Sequence, residues 1–376
     1  MQEKSITKAL SFFFTTSAYE VFYVFHNADG KAWLIPNLNC SLALQIYQPS
    51  SLNGKLLKSF FPVVRYFQIF RDRLGISVHR CAVQTYLSEI LCKIFQVKAV
   101  EVALFCGTPS AHQKITMQVS NGKDILGYCK ISEKEEVKAL FRHEETILKE
   151  LFGYGFKNIP RCLYHGVLKD ETHIFAQTTT KTKRSKVLHQ LSALHWDFLS
   201  HLHQKTKQRL PFEKSDFYQA LASLKQNPVY LSSYDISAVT TAIDRIEAFY
   251  SGKQVEFSFY HSDFTPWNMF VEKGELFVFD WEYARRTFPP FLDAFHFFTQ
   301  TCFFEQHKSS FEILAAYNAN KQMFATYLHD PDFRYVCYLV NVISFYGNRD
   351  RGAFSAAMAN NIQMWIELLR LLEKQT

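Results

Sequence analysis

Hydrophobic and polar positions alternate most clearly between residues 255 and 284. Apolar side chains at 255, 257 and 259 give the period-two pattern of a half-buried strand. Two more apolar runs, 269–271 and 276–279, flank the turn 272–275, whose glycine favours a hairpin. The pattern therefore predicts short strands around a polar turn, with acidic and amide side chains at the strand ends.

In the rest of the chain, the spacing of the apolar residues changes near residue 178. Before this point, the pattern predicts an antiparallel sheet and one helix, 137–151, that ends at Gly153. The predicted strands span 100–105, 114–119, 125–131, 162–168 and 172–177. After the polar residues 178–180, a helical period predicts helices over 187–203, 217–226, 237–250, 291–304, 310–328, 333–346 and 354–374.

Residues 1–95 have a pattern of their own. A hairpin is predicted over 21–35, followed by a helix over 55–73 that is broken near Pro62, and by a second helix over 86–96. No catalytic constellation stands out in this segment. We therefore predict an accessory domain with a structural, substrate-contacting or partner-docking role.

Composition narrows the class of protein. The chain has 376 residues, of which 48% are hydrophobic, and its 37 phenylalanines indicate a Phe-rich core. A net charge of +7 suits an anionic ligand or an acidic surface, but no Lys/Arg block is dense enough to predict nucleic-acid binding. No run of eighteen apolar residues occurs, so no transmembrane segment is predicted. Peripheral membrane contact and the oligomeric state stay open.

The eight cysteines indicate the compartment. They are scattered without a C-x-x-C pair, and most lie in apolar runs, so metal binding through them is not expected. Reduced thiols of this kind are typical of a cytoplasmic protein.

Three polar side chains occupy strand ends and loops between 255 and 284, namely Asp263, Asn268 and Asp280. Carboxylate and amide oxygens are hard ligands that suit Mg²⁺, and a carboxylate can also accept the proton of a hydroxyl nucleophile. The first two residues lie in the motif H-x-D-x-x-x-x-N, which begins at His261, and the third lies in F-V-F-D-W-E.

These motifs resemble the aminoglycoside phosphotransferase and choline kinase-like family, whose usual pattern is H-G-D-x-x-x-x-N followed by I-D-W/F-E. Protein kinases proper are less similar, because D-F-G and A-P-E are absent. The resemblance covers roughly residues 97–375 and is specific over 255–294. It implies an α+β, bilobal protein kinase-like fold with an extra N-terminal α/β segment. The expected domains are 1–95, a nucleotide-binding N-lobe over 96–178 and a helical C-lobe over 179–376.

The resemblance also implies a role for each matching residue. Asp263 would accept or orient the proton of the attacking hydroxyl. Asn268 and Asp280 would hold Mg²⁺, which bridges the phosphates of ATP. Lys130 would pair with the α- and β-phosphates, and Glu144 would hold Lys130 in place, with Glu145 as the alternative partner.

His261 matches the family pattern and belongs to the catalytic loop, as a structural member of it. Two other positions depart from the pattern. Ser262 replaces the usual glycine of H-G-D. The phosphate-covering loop has only Gly107, so backbone amides around Thr108 and Ser110 would have to contact the nucleotide.

The sequence therefore predicts an ATP- and Mg²⁺-dependent kinase that phosphorylates a hydroxyl of a small molecule or glycan. The loop version D-F-T-P-W-N looks like that of family members associated with surface-polysaccharide pathways. Aromatic residues near Trp267 and Trp281 leave a choline- or ethanolamine-type amino alcohol as an alternative acceptor. A pseudokinase-type scaffold that binds nucleotide without turnover is the alternative from another class.

Overall fold

The computed structural model describes residues 9–16, 20–27, 30–49, 52–107 and 112–375. The chain divides into two compact units. The first contains Met1–Val187 together with Phe270–Glu282, and the second contains Leu188–Met269 together with Tyr283–Thr376.

An antiparallel sheet of eight strands forms the centre of the first unit. In spatial order, its strands are Ser77–Arg80, Val21–His26, Ala32–Pro36, Glu101–Cys106, Ile115–Ser120, Ile125–Ser132, Thr172–Thr178 and Cys162–Lys169. All strands predicted between 100 and 177 are confirmed to within two residues, because their alternating apolar positions match the pleat of a sheet.

The N-terminal strands belong to the same sheet. Trp33 of the strand Ala32–Pro36 lies opposite Phe105 of the strand Glu101–Cys106. The hairpin strands are buried on both faces, with Phe22 in one apolar cluster and Tyr23 in the other. Residues 1–95 and 96–178 therefore share one sheet and contribute to both apolar clusters, so the predicted boundary at residue 95 lies inside the first unit.

Helices pack beside this sheet. They span Cys40–Ala43, Leu52–Val64, Gln68–Arg73, Thr85–Phe95 and Glu135–Gly153. The helix expected to break near Pro62 continues through it and ends at Val64, two residues later. A proline in the last turn removes only one backbone hydrogen bond, and Gln68–Arg73 then forms a separate helix.

The hairpin at the end of the first unit agrees with the prediction. The strands Met269–Glu272 and Glu275–Val278 pair across Lys273 and Gly274, both of which have positive φ values. Positive φ at both central residues defines a type I′ turn, whose twist matches that of the flanking strands.

The second unit is mainly helical. Its α-helices span Ala193–Thr206, Asp216–Gln226, Ser237–Tyr250, Leu292–Gln300, Ser310–Ala325, Pro331–Asp350 and Ala356–Glu373. The prediction of a helix from 187 was wrong, because the first helix begins after Ser192, whose side chain forms a capping box with His195. A three-stranded sheet lies beside these helices, with the order Gln208–Pro211, Gln254–Tyr260 and Arg285–Phe288.

The longest helix of the second unit, Pro331–Asp350, organises its core. Residues 335–344 are buried all round, which is typical of a helix enclosed by its neighbours. No helix in the described part of the chain is long and apolar enough to cross a membrane.

Candidate active site

Lys130 lies at the centre of a buried cluster of charges in the first unit. The alternation of the strand Ile125–Ser132 directs its side chain toward the helix Glu135–Gly153. Its Nζ atom donates a hydrogen bond to Glu144, with 2.5 Å between Nζ and Oε2, and another to Asp280. The Lys130 and Glu144 side chains are almost completely excluded from solvent. Removing Lys130 would leave Glu144 without its ion-pair partner at a site that excludes solvent, which is costly.

The structure also decides between the two candidate glutamates. Glu144 pairs with Lys130, whereas Glu145 pairs with Lys149 and with Nδ1 of His165, both at 2.7 Å. Adjacent positions on a helix point about 100° apart, so only one of them can face the strand that carries Lys130.

A second lysine, which the sequence reasoning missed, joins this cluster. Lys114 precedes the strand Ile115–Ser120, and its Nζ atom contacts Glu282 and lies 3.3 Å from Oδ1 of Asp280. Thr116 lies opposite Lys130 in the sheet. Because positions two apart share a face of a strand, the strand pattern could have placed Lys114 on the same face as Lys130.

Three carboxylates therefore face two ammonium groups in this cluster. Glu282, also missed, stands two residues after Asp280 in the D-W-E motif. One oxygen from each of Glu144, Asp280 and Glu282 lies within 4.8 Å of the others. With all five groups ionised, one negative charge is in excess, which suits a cation.

Electrostatic attraction keeps both lysines protonated. Burial by itself lowers the pKa of Lys130, but its attraction to Asp280 and Glu144 is larger in sum and raises the pKa. The same balance raises the pKa of Lys114, through Asp280 and Glu282. Both side chains are therefore positive charges at neutral pH.

The backbone around Asp280 is fixed in an uncommon conformation. Asp280 has a φ of 69°, and the amide of the next residue, Trp281, donates to Oε1 of Glu144 at 3.2 Å. Aspartate tolerates the left-handed region better than most residues, and the surrounding contacts must hold it there. Glu144 thus binds both the lysine and the segment that presents Asp280.

The second unit contains the predicted loop with Asp263. Asn268 donates its Nδ2 to Oδ2 of Asp263 at 2.8 Å and to the Asp263 carbonyl at 3.0 Å. The short 3₁₀ helix Pro266–Asn268 brings the asparagine back over the aspartate. The Asp263 side chain remains 31% exposed. Since the amide nitrogen is used, Oδ1 is the atom of Asn268 that could bind a metal.

The helix Leu292–Gln300 packs against this loop and binds its backbone. Asp293 accepts hydrogen bonds from the backbone amides of His261 at 2.8 Å and Ser262 at 3.1 Å. One turn later, Nε2 of His296 lies 3.4 Å from Oδ1 of Asp263. His296 was not identified from the sequence, although its i, i+3 spacing from Asp293 places both on one helix face.

His261 and Ser262 complete the loop. His261 is fully buried, and its Nδ1 atom accepts a hydrogen bond from the amide of Asp263 at 3.2 Å. It therefore holds the loop and has no direct access to a solvent-borne reactant. Ser262 has a φ of 72°, the left-handed conformation that favours glycine, so this position explains why glycine is usual in the motif.

The predicted phosphate-covering loop is only partly described. Gly107 follows the strand Glu101–Cys106, and its carbonyl accepts a hydrogen bond from Nε2 of Gln113 at 2.8 Å. Thr108 and Ser110 lie outside the described residues.

The donor set fits a hard divalent cation. Mg²⁺ prefers oxygen ligands, usually one or two carboxylates together with phosphate and water. The three clustered carboxylates of the first unit are ligands of this kind.

Comparison with known proteins identifies the fold. The sequence matches no family model and no curated protein. A thermostable mutant of aminoglycoside phosphotransferase APH(4)-Ia, in its apo form, matches with a TM-score of 0.50 and 10% identity, over 77% of this chain and 98% of its own. The chain has the fold of an aminoglycoside phosphotransferase.

A ternary complex of a mutant of the same phosphotransferase with AMP-PNP and hygromycin B has a TM-score of 0.48. It shares 12% identity over 78% of this chain and 100% of its own. The predicted fold class, with a kinase-like arrangement of an antiparallel sheet and helices, is confirmed. At this low sequence identity, the similarity shows the fold and nothing further.

Proposed function

We propose that the protein is a phosphotransferase that uses ATP and Mg²⁺ to phosphorylate a hydroxyl group of a small molecule or glycan. The observation that carries this proposal is the buried position of Lys130 between Glu144 and Asp280. A lysine held in this way by a helix glutamate is oriented to bind phosphate, and phosphoryl transfer depends mainly on positioning and charge neutralisation.

Each charged group of the first unit then has a role. Lys130 would bind the α- and β-phosphates, with Glu144 fixing its position. Asp280 would hold Mg²⁺ together with Asn268, and the bound ion would neutralise charge on the phosphates. A phosphate that takes over Lys130 would also release the Asp280 carboxylate from its ion pair, so that it could bind the metal.

Asp263 would accept or orient the proton of the acceptor hydroxyl. Its two contacts, with Nδ2 of Asn268 and Nε2 of His296, fix the carboxylate from both oxygens. A carboxylate that is held in this way and still partly exposed suits a base that must meet a substrate from solvent.

The acceptor that we favour is a sugar or glycan hydroxyl. The D-F-T-P-W-N loop supports this, and the protein with a TM-score of 0.50 is named as an aminoglycoside phosphotransferase, so a glycoside is its named acceptor. We also propose a cytoplasmic location, because none of the eight cysteines forms a disulfide.

Nucleotide turnover tests the proposal. ATP consumption should be measured against a panel of sugars, glycans and amino alcohols for the wild type, Asp263→Ala and Asp197→Ala. Asp197 is an exposed aspartate of the same unit, so its variant is the matched control. We expect at least one acceptor to give Mg²⁺-dependent turnover that Asp263→Ala loses by about a hundredfold or more and Asp197→Ala keeps.

The change in melting temperature on adding ATP and Mg²⁺ distinguishes a protein that binds nucleotide without turnover from one that does not bind it. A ligand of the native state at a hundred times its Kd stabilises it by about 2.7 kcal/mol. Stabilisation by ATP and Mg²⁺ without any turnover would indicate the scaffold alternative. If neither ATP nor Mg²⁺ changes the melting temperature, the kinase proposal is wrong.

A further inference from the structure

Residues 52–78 of the first unit expose an unusual amount of apolar surface. In the part of the chain that the structure describes, twenty large apolar residues are exposed, and ten of them fall in this segment. Their exposed fractions range from 43% for Val78 to 72% for Leu52. Scattered exposed apolar residues are normal, but a dense group of this kind marks an interaction surface.

The helix Leu52–Val64 shows that this surface is built into the fold. Phe61 is completely buried in the apolar cluster beside the sheet, with Leu57 packed against it. A second face of the helix carries Leu52, Leu56 and Phe60, spaced four residues apart, all exposed. A helix with apolar side chains on two faces is expected to be covered on both. The first face packs against the sheet, so the outer face needs another apolar environment.

The same stretch is basic. Residues 52–78 contain five Lys or Arg residues and one Asp, a formal balance of +4, although Arg65 is buried and Lys58 and Arg71 are only partly exposed. Lys55 and Arg73 are exposed among the apolar side chains. Aromatic residues are exposed there too, notably Tyr66, Phe67 and Phe70.

We propose that residues 52–78 dock the protein on the surface of an anionic lipid bilayer. Leucine and phenylalanine side chains would enter the boundary between headgroups and acyl chains, while the basic residues meet the anionic headgroups. Charge complementarity favours this occupant over another protein. Amphipathic helices at membranes combine exposed Leu and Phe side chains with exposed Lys and Arg, which is the combination found in this segment. The protein is thereby a peripheral membrane protein.

Vesicle flotation tests this proposal with the purified full-length chain. We expect the wild type to float with vesicles of phosphatidylcholine and phosphatidylglycerol, and not with phosphatidylcholine alone. Binding should weaken as salt is raised, because headgroup attraction is screened. Sedimentation of the wild type at all vesicle compositions would overturn the proposal.

Two variants separate the apolar and electrostatic contributions. The combined substitution F60S, F67S and I69S should weaken partitioning by at least about tenfold, since three apolar side chains no longer leave water. The combined substitution K55Q and R73Q should weaken it by about fivefold per charge removed. Both variants should keep the wild-type melting temperature, because the changed side chains are exposed.

Matched controls lie elsewhere on the surface. V229S with F311S removes two equally exposed apolar residues of the second unit, and K98Q with K123Q removes two exposed lysines of the first. Both controls should bind vesicles like the wild type. If F60S, F67S and I69S together do not change flotation, or if they only convert a wild-type dimer into a monomer, the face does not serve a membrane.

Discussion

Lys114 and Lys130 share one carboxylate. Both Nζ atoms contact Oδ1 of Asp280, the former at 3.3 Å. An aspartate proposed to bind a metal is thus held by two ammonium groups, and Lys114 also pairs with Glu282. Such an arrangement suits a site that exchanges partners when nucleotide and metal bind together.

Replacement of Lys114 tests whether it takes part in nucleotide binding. We expect Lys114→Met to raise the KM for ATP by about tenfold or more, because a charge-assisted hydrogen bond contributes roughly 1.5–3 kcal/mol. Lys114→Arg keeps the charge and should retain most of the affinity. Lys123→Met, at an exposed lysine of the same unit, is the control, and an unchanged KM in Lys114→Met would exclude the role.

Glu144 and Glu145 form a natural pair of variants. Glu144→Gln removes the fully buried acidic partner of Lys130 but leaves Asp280, so we expect a loss of roughly 1.5–3 kcal/mol in unfolding free energy. We also expect kcat/KM to fall by about a hundredfold, since the lysine loses its position. Glu145→Gln breaks only partly exposed pairs and should cost less than about 1 kcal/mol. Equal effects of the two variants on activity would contradict the assignment.

Ser262 provides a test of backbone strain. A residue with a Cβ atom pays roughly 1–2 kcal/mol in the left-handed region, and glycine avoids this cost but gains entropy when unfolded. We therefore expect Ser262→Gly to stabilise the protein by about 0.5–1 kcal/mol in denaturant unfolding, while Ser262→Ala does not stabilise it. A gain in the alanine variant would mean that the hydroxyl, and not the backbone, limits stability.

Lys181 should make stability depend on pH. Burial, with repulsion from Lys58, lowers its pKa from 10.5 to about 7, although Nζ donates to the carbonyl of Gln45 at 3.0 Å. Between pH 7 and 10.5 the unfolded chain binds more protons at this position than the folded one, so stability rises with pH in that window. Below pH 7 Lys181 is protonated in both states, and the free-energy cost of burying its charged ammonium group is then at its full value.

Substitution reveals this contribution. Relative to the wild type, Lys181→Met should be more stable at pH 6.5 than at pH 9.5. The difference in unfolding free energy between variant and wild type should change by about 2–4 kcal/mol between the two pH values. Lys183→Met, at an exposed lysine two residues away, should show no such change between the two pH values. A difference that is the same at both values would show that Lys181 titrates normally.

Most secondary structure could be predicted, because the apolar period is set by local geometry. The helix Ser237–Tyr250 agrees with its prediction at both ends. The strand Gln208–Pro211 was missed, because four residues that contain a proline carry no clear period and depend on pairing with Val255 and its neighbours. The helix start at Ala193 depended on the cap at Ser192, which the sequence pattern obscured because the apolar residues 187, 188 and 191 continue the helical spacing before it.

The sequence by itself determined the strand and helix pattern, and its H-x-D-x-x-x-x-N and F-V-F-D-W-E motifs carry the family resemblance. That resemblance implied the fold class and the proposed roles of Lys130, Asp263, Asn268 and Asp280. Tertiary structure decided the rest. It chose Glu144 over Glu145, and it brought Lys114 and His296 to their acidic partners. It also joined the N-terminal strands to the central sheet. Each of these depends on contacts between residues far apart in the chain, which side-chain packing and ion pairing select and which no local pattern records.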